Sequence, residues 1–267
     1  MTTRPRPKPR ATAGKIVLVC KLKGGAGATT LCRELAVAAV AAGLKVGLID
    51  LDAQGGLTRW WNRRTKSADA GTAAPELLEI PAAQIPMGAD ALRAAFDITI
   101  IDSPPSLHNS IGVVAADADL ALIPSRPNVD DLDAVGPIFR LLHGVVDIGF
   151  VLTQVPGKRS VDGGEALERL AARAPVLGRT TFRAAYSRPP AAGRTGYETD
   201  ETAHEEIGAL FALACERLSL VSPVTTQSGD SPTSPPAGNQ IPGRPKPAIP
   251  GPIEPSRSEP RRRAQGA

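Results

Sequence analysis

The sequence predicts an α/β fold: a doubly wound, mostly parallel sheet with helices on both faces. Three observations predict it. Short runs of Val, Ile and Leu alternate with helical patterns along the chain. Apolar residues make up 42% of the composition but aromatics only 3%, which suits helices packed on a buried parallel sheet better than an aromatic-rich sandwich. Connections between the runs are short, as right-handed strand–helix–strand crossovers require.

Each element follows from its residues. "KIVLVC" (15–20) is a buried strand leading into a glycine loop. Thr29 to Ala42 has helical spacing, with Leu31, Leu35, Ala38 and Ala42 on one face and Gly43 as the stop. "KVGLIDLD" (45–52) is the next strand, and a further helix carries Trp60 and Trp61, whose expected use is packing. Another strand is expected at 97–102 in "RAAFDITIIDSPP". "DLALIPS" (119–125) and "DIGFVLTQV" (147–155) complete the apolar runs, with a helix near 130–143 between them. Helices at 162–173 and 201–219 follow.

The chain has 267 residues and a formal charge of +4, unevenly spread. Residues 1–15 hold five basic and no acidic residues, and residues 221–267 hold six basic and three acidic. That leaves 20 basic against 24 acidic in residues 16–220, a net −4. The expected organisation is a basic arm at 1–13, a folded domain at 14–220 and a Pro/Ser-rich basic tail at 221–267. Both tails are expected to be disordered, since they cannot bury enough surface to offset their ordering entropy. Basic tails suit a polyanion or simply keep the chain in solution.

Cys20, Cys32 and Cys215, with His108, His143 and His204, show no metal-ligand or disulfide spacing. The cysteines are expected as small buried hydrophobes. The first residues, "MTTRPRPKPRATAGK", carry charge but no apolar signal core, and no run of about 18 apolar residues exists to span a bilayer. A reducing, cytoplasmic setting is the expectation.

Three motifs carry chemistry, each at a strand end, where ligands of this fold class sit. In "CKLKGGAGATTL" (20–31), glycines permit close approach of backbone N–H groups to phosphate oxygens, and the helix behind aims its positive end at the same anion. Gly24, Gly25, Ala26, Gly27, Ala28, Thr29 and Thr30 are the candidate phosphate-binding residues, with the Thr29 hydroxyl placed for Mg²⁺. In "LIDLDAQGG", Asp50 and Asp52 are two apart on a strand end and are expected to point the same way, to orient a water or hold a hydrated metal. In "FDITIIDSPPSL", apolar residues precede Asp102, a carboxylate on the Mg²⁺ side of a phosphate site.

In this order the motifs resemble the ParA/MinD family of deviant Walker-A ATPases, over residues 15–218 and most closely its ParA partition branch. The family loop K-G-G-x-G-K-[ST]-[ST] is matched by "KGGAGATT", D-x-D-P-Q-G by "DLDAQGG", and strand-D-[ST]-P-P-S by "IIDSPPS". "RTTFRAAYSRPPAAGRTGYE" and "AHEEIGALFALACERL" resemble the ParA C-terminal region. The resemblance implies a P-loop NTPase-like fold that binds ATP and Mg²⁺ and forms a nucleotide-sandwich homodimer. It implies binding to non-specific DNA, a ParB-like centromere-binding partner and a nucleoid-associated location. It makes Lys23 the lysine lent to the partner's nucleotide and Asp52 the water-activating aspartate, and it makes Thr29 and Asp102 the metal-side residues. Arg183, Arg188 and Arg194 become candidates for DNA contact.

The sequence departs from the family at Ala28, where a lysine would touch the β- and γ-phosphates of its own nucleotide. Losing a preorganised donor of that kind costs on the order of 10²–10³ in rate. A non-catalytic adaptor in DNA partition or conjugative transfer is therefore the competing expectation. Lys21 replaces a residue that is uncharged in the family and could restore part of the charge, but a lysine at a strand end is expected to face solvent. A MinD-like membrane role is disfavoured because the helix at 201–219, with Ile207, Leu210, Phe211 and Leu218 on its apolar side, has a largely acidic opposite face. A nitrogenase-iron-protein role is disfavoured for want of cluster-ligand cysteines.

Overall fold

The structure is a computed structural model that describes residues 13–21, 23–67, 74–105, 109–157 and 159–220, all within the compact unit Met1–Gln227. The two expected disordered segments lie almost wholly outside the described residues, as do Leu22 and His108. Among the described residues the strands are β1 (Lys15–Lys21), β2 (Val46–Asp50), β3 (Glu76–Leu78), β4 (Ile98–Pro105), β5 (Leu120–Ser125), β6 (Asp147–Val155) and β7 (Val176–Thr181). They form one sheet in the order β3-β2-β4-β1-β5-β6-β7, and every pairing is parallel.

Parallel strands need covering on both faces, and the side-chain alternation of the strands supplies two apolar layers. Val17, Val19, Leu48 and Ile100 join one core with α1 (Ala28–Ala41), α2 (Gly56–Lys66) and α8 (Glu201–Leu218). Ile16, Leu18, Ile49 and Ile101 face the other, against α3 (Ile85–Ala95), α4 (Asn109–Ala115), α5 (Val129–Leu142) and α6 (Val161–Ala171). The expected elements stand within a residue or two of their predicted limits, except that β4 runs on to Pro105, three residues past the expected end. Cys20, Cys32 and Cys215 are buried, and burial pushes the Cys20 thiol up to about 12. Ile207, Leu210, Phe211 and Leu218 of α8 are buried on the sheet, so the apolar side of that helix is already covered. No helix among the described residues is long and apolar enough to cross a membrane.

Sequence periodicity misses β3, β7, α3 and α4. β3 is three residues at a sheet edge, too short to show alternation. β7, "VLGRTT", has a Gly and an Arg in its centre and lies at the opposite edge, where one row of ladder groups has no neighbour strand. α3 opens "IPMG", with its Pro in the first turn, where the missing N–H costs nothing.

The connection from β7 to α8 is latched to α1 and α2 by buried polar groups. Glu34 on α1 accepts from the N–H groups of Gly196 and Tyr197 at 2.9 and 2.8 Å, which start the short helix α7 (Gly196–Thr199). Arg64 on α2 grips Glu198 with two bonds of 3.0 Å and donates to Gly193 O at 3.1 Å. Trp60, fully buried, donates from Nε1 to Arg194 O at 3.2 Å. The predicted packing role of Trp60 is its observed one. These bonds fix the wall of the site next described.

Candidate functional site

β1 is the central strand of the seven, and the chain winds outward from it in both directions. Its carboxyl end is therefore the topological switch point, where helices on either side diverge and leave a crevice. The glycine loop fills that crevice. Gly25 and Gly27 take φ of 87° and 91°, a left-handed conformation that any side chain would strain. Gly27 begins α1 with no side-chain cap, and the first turn holds no acidic residue. The start of α1 thus leaves its first N–H groups without a side-chain cap, which favours an anion there.

The loop is braced from β6. Thr153 Oγ1 donates to Ala26 O at 2.8 Å, and Gln154 Nε2 donates to Gly25 O at 2.8 Å. In a planar trans peptide the carbonyl and the following N–H point opposite ways. The Ala26 and Gly27 N–H groups are therefore held facing away from β6. Gln154 itself has φ of 55°, rare for a residue with a side chain, and it stands at this functional strand end. From β5, Arg126 brings its guanidinium within about 4 Å of where a Gly25 Cβ would lie, oriented by two bonds to Asp131. A cation beside the loop is thus present although Ala28 is buried and neutral.

The three motif carboxylates have different fates. Asp50 and Asp52 do not act as a pair aimed at one ligand. Asp50 accepts from Thr58 N and Oγ1 at 2.9 and 3.0 Å and so caps α2, whose own N-cap, Gly55, has no side chain to do so. Asp52 accepts from Gln54 N at 3.0 Å through one oxygen and meets Lys21 Nζ at 3.0 Å through the other. Asp102 is fully buried, with Oδ1 3.1 Å from Lys21 Nζ and Oδ2 accepting from Thr29 Oγ1 at 2.6 Å.

Lys21 departs from expectation. It does not face solvent: the residue is 5% exposed, and its ammonium lies between Asp52 and Asp102. The reason is local: the buried Asp102 carboxylate would otherwise have no counter-ion, the half-buried Asp52 stands close by, and β1 runs beside β4. Burial alone would lower the Lys21 ammonium, but Asp102 and Asp52 outweigh it and hold it above an ordinary lysine. Burial pushes the Asp102 carboxyl up in spite of Lys21 and Thr29. Burial also opposes ionisation of Asp52, yet the Gln54 N–H and Lys21 together hold it below the usual carboxylate range.

Thr29 and Asp102, the predicted metal-side residues, are brought together, and their oxygens are of the kind Mg²⁺ takes. As arranged they do not fit the ion: both Asp102 oxygens are engaged, and a dication at this carboxylate would meet the Lys21 ammonium. Lys23 is exposed, its Nζ 3.3 Å from Asp130 O at the start of α5. The three arginines differ in setting. Arg183 pairs with Asp200 at 3.0 Å and Glu206 at 3.6 Å, while Arg188 and Arg194 are exposed.

Beside the loop lies a cavity of about 450 Å³, lined among others by Gly27, Thr30, Gln154, Phe182, Arg183 and Arg188. Its size suits a small organic ligand contiguous with whatever the loop holds. Sequence reasoning missed Arg126, Thr153, Gln154 and Phe182. One signal could have found them: all four stand at or just past the ends of β5, β6 and β7, and ligands of this fold class lie beyond strand ends.

Comparison with known proteins joins this geometry to a family. The pattern described as the CobQ/CobB/MinD/ParA nucleotide binding domain matches residues 17–195. The chain belongs to that family. Among curated relatives, a maintenance of carboxysome distribution protein A from Halothiobacillus neapolitanus is 33% identical over 115 residues, 43% of this chain and 51% of that protein. Protein virC1 of Rhizobium rhizogenes is 26% identical over 175 residues, 61% of this chain and 74% of the relative. The chain thus spans only about half the length of the carboxysome-distribution relative. Solved structures share the ParA/MinD fold. The cell division ATPase MinD of Pyrococcus furiosus superposes with a TM-score of 0.62 at 21% identity, covering 77% of this chain and 99% of that one. A putative plasmid partition protein of Borrelia burgdorferi bound to AMPPNP gives 0.59 at 17%, covering 76% and 99%.

Proposed function

We propose that this chain is a ParA-type partition or positioning protein that binds ATP in the loop and the adjoining cavity. The observation that carries the reading is the braced loop: two left-handed glycines, an uncapped helix start, and carbonyls turned away by Thr153 and Gln154. That arrangement offers main-chain N–H groups to a polyphosphate. The named relatives support it, since one neighbour is described as bound to AMPPNP and a MinD of Pyrococcus horikoshii as complexed with Mg-ADP.

In this reading ATP draws two copies together, with the exposed Lys23 released from Asp130 O to reach the partner's phosphates. The dimer binds DNA without sequence preference, and Arg188 and Arg194 remain the exposed candidates for phosphate contact. Arg183 is set apart from them because two carboxylates already neutralise it, although it lines the cavity together with Arg188. A ParB-like partner stimulates release. Hydrolysis is slow, for two reasons. Ala28 supplies no cation to the transferred phosphoryl group, and Asp52, tied to Lys21, is a weak base suited only to orienting a water.

The test combines nucleotide titration of the full chain with DNA retention in the presence and absence of ATP. Binding of a fluorescent ATP analogue, with DNA retention that depends on ATP, is the expected result; absence of both overturns the reading. Ala28 favours a second reading, a non-catalytic adaptor that keeps the fold to present a surface. Turnover matching a lysine-bearing homologue, and abolished by Asp52→Ala, would exclude it.

A further inference from the structure

The buried end of β1 carries a positive charge in the position where the acidic residues around it would ask for a metal ion. Asp102 has no exposure to solvent. One of its oxygens is 3.1 Å from the Lys21 ammonium, and the other accepts the Thr29 hydroxyl at 2.6 Å. The same ammonium is 3.0 Å from Asp52. Lys21 therefore satisfies both carboxylates at once, and the Thr29 hydroxyl is turned onto Asp102 rather than held free as a ligand.

Magnesium needs six oxygens in a near-octahedral shell at roughly 2.0–2.1 Å, and it gives up water reluctantly. Reaching the Asp102 side of the loop, it would have to expel an ammonium bound to two carboxylates. It would also have to leave that ammonium with no counter-ion in a buried setting, which is costly. The distribution of charge points the same way. Ala28, in the loop, is neutral and buried, while the Lys21 ammonium lies at the carboxylates. Arg126 and the N-terminus of α1 remain for the phosphates.

We propose that Lys21 is a resident cation that takes the place of a divalent metal at Asp52 and Asp102, so that this protein binds its nucleotide without requiring magnesium. The inference rests on the nucleotide reading above and deepens it. In free solution magnesium shields the charges of ATP; here Lys21 offsets the two carboxylates beside the loop, so no dication is needed to offset them. A tethered ammonium cannot be removed by a chelator and does not depend on the concentration of the ion.

The deciding measurement is calorimetric titration of the full chain with ATP, in EDTA and in excess magnesium chloride. The wild-type affinities are expected to agree within about fivefold. Lys21→Asn, which removes the charge and keeps a polar side chain, is expected to lose about tenfold or more in EDTA and to regain binding when magnesium is added. A wild-type affinity that rises more than about fivefold on adding magnesium overturns the inference and leaves the nucleotide reading intact. No ATP binding in either buffer overturns the nucleotide reading and this inference with it. The wild-type comparison decides the question even if Lys21→Asn fails to fold, and Lys21→Met provides a second variant of similar length.

Discussion

Replacing Lys21 by Met tests the central geometry of the site without any ligand. The variant keeps the length of the side chain but removes the ammonium that stands 3.0 Å from Asp52 and 3.1 Å from Asp102. Asp102 is fully buried, so its carboxylate would keep only the Thr29 hydroxyl as a donor. Removing one partner of a buried pair costs roughly 3–5 kcal/mol, far more than the pair contributes net, because the other charge stays desolvated. Asp102→Asn is milder, about 1–3 kcal/mol, since Lys21 retains Asp52 and the amide still accepts from Thr29. The double variant, with neither charge, should be more stable than the two losses added together predict, with a coupling of about 2–3 kcal/mol. Urea unfolding followed by circular dichroism at pH 8 measures all four corners of the cycle. Losses that add to within about 0.5 kcal/mol would refute the pairing, since groups that do not touch behave additively.

Two further outcomes follow from the same structure. Burial pushes the Glu34 carboxyl up to about 7, although it accepts from the Gly196 and Tyr197 N–H groups, so the folded state holds this proton more tightly than the unfolded chain does. Stability from this group is complete below about pH 4.5 and is lost as pH rises through about 7, by up to about 3 kcal/mol. Thermal melts between pH 5 and 8 should show that decline, and Glu34→Gln should flatten it; an unchanged slope in the variant would show that another group is responsible. Thr153→Val, nearly isosteric, deprives Ala26 O of its 2.8 Å donor. It should cost about 1–2 kcal/mol in unfolding titrations and weaken ATP binding about tenfold by freeing the loop peptide. Unaltered nucleotide affinity in a normally folded variant would show that the bracing from β6 does not set the N–H direction.

The amino-acid sequence by itself determined the parallel sheet, its two covering layers and the location of the site. Those properties depend on local signals: the β-branched runs of β1, β2 and β4, the period of α1, and the glycines at 25 and 27 that a tight loop requires. It also singled out Thr29 and Asp102, each in a motif at a strand end, and the adjacency of β1 and β4 is what brings them together. What it could not determine was where long or multivalent polar side chains turn. Lys21 could reach solvent or the interior from the same Cα; only the adjacency of β1 to β4, with Asp52 close by, made the interior favourable. Asp50 and Asp52 share a side of the expected strand by their spacing, yet β2 ends at Asp50, and a bare Gly55 at the start of α2 draws Asp50 away as its cap. Arg183 looked like a surface cation until α8 brought Glu206 to it and the turn before α8 brought Asp200. Tertiary structure decided these because buried charge is settled by partners distant in the chain, whereas strands and helices are settled by neighbours within it.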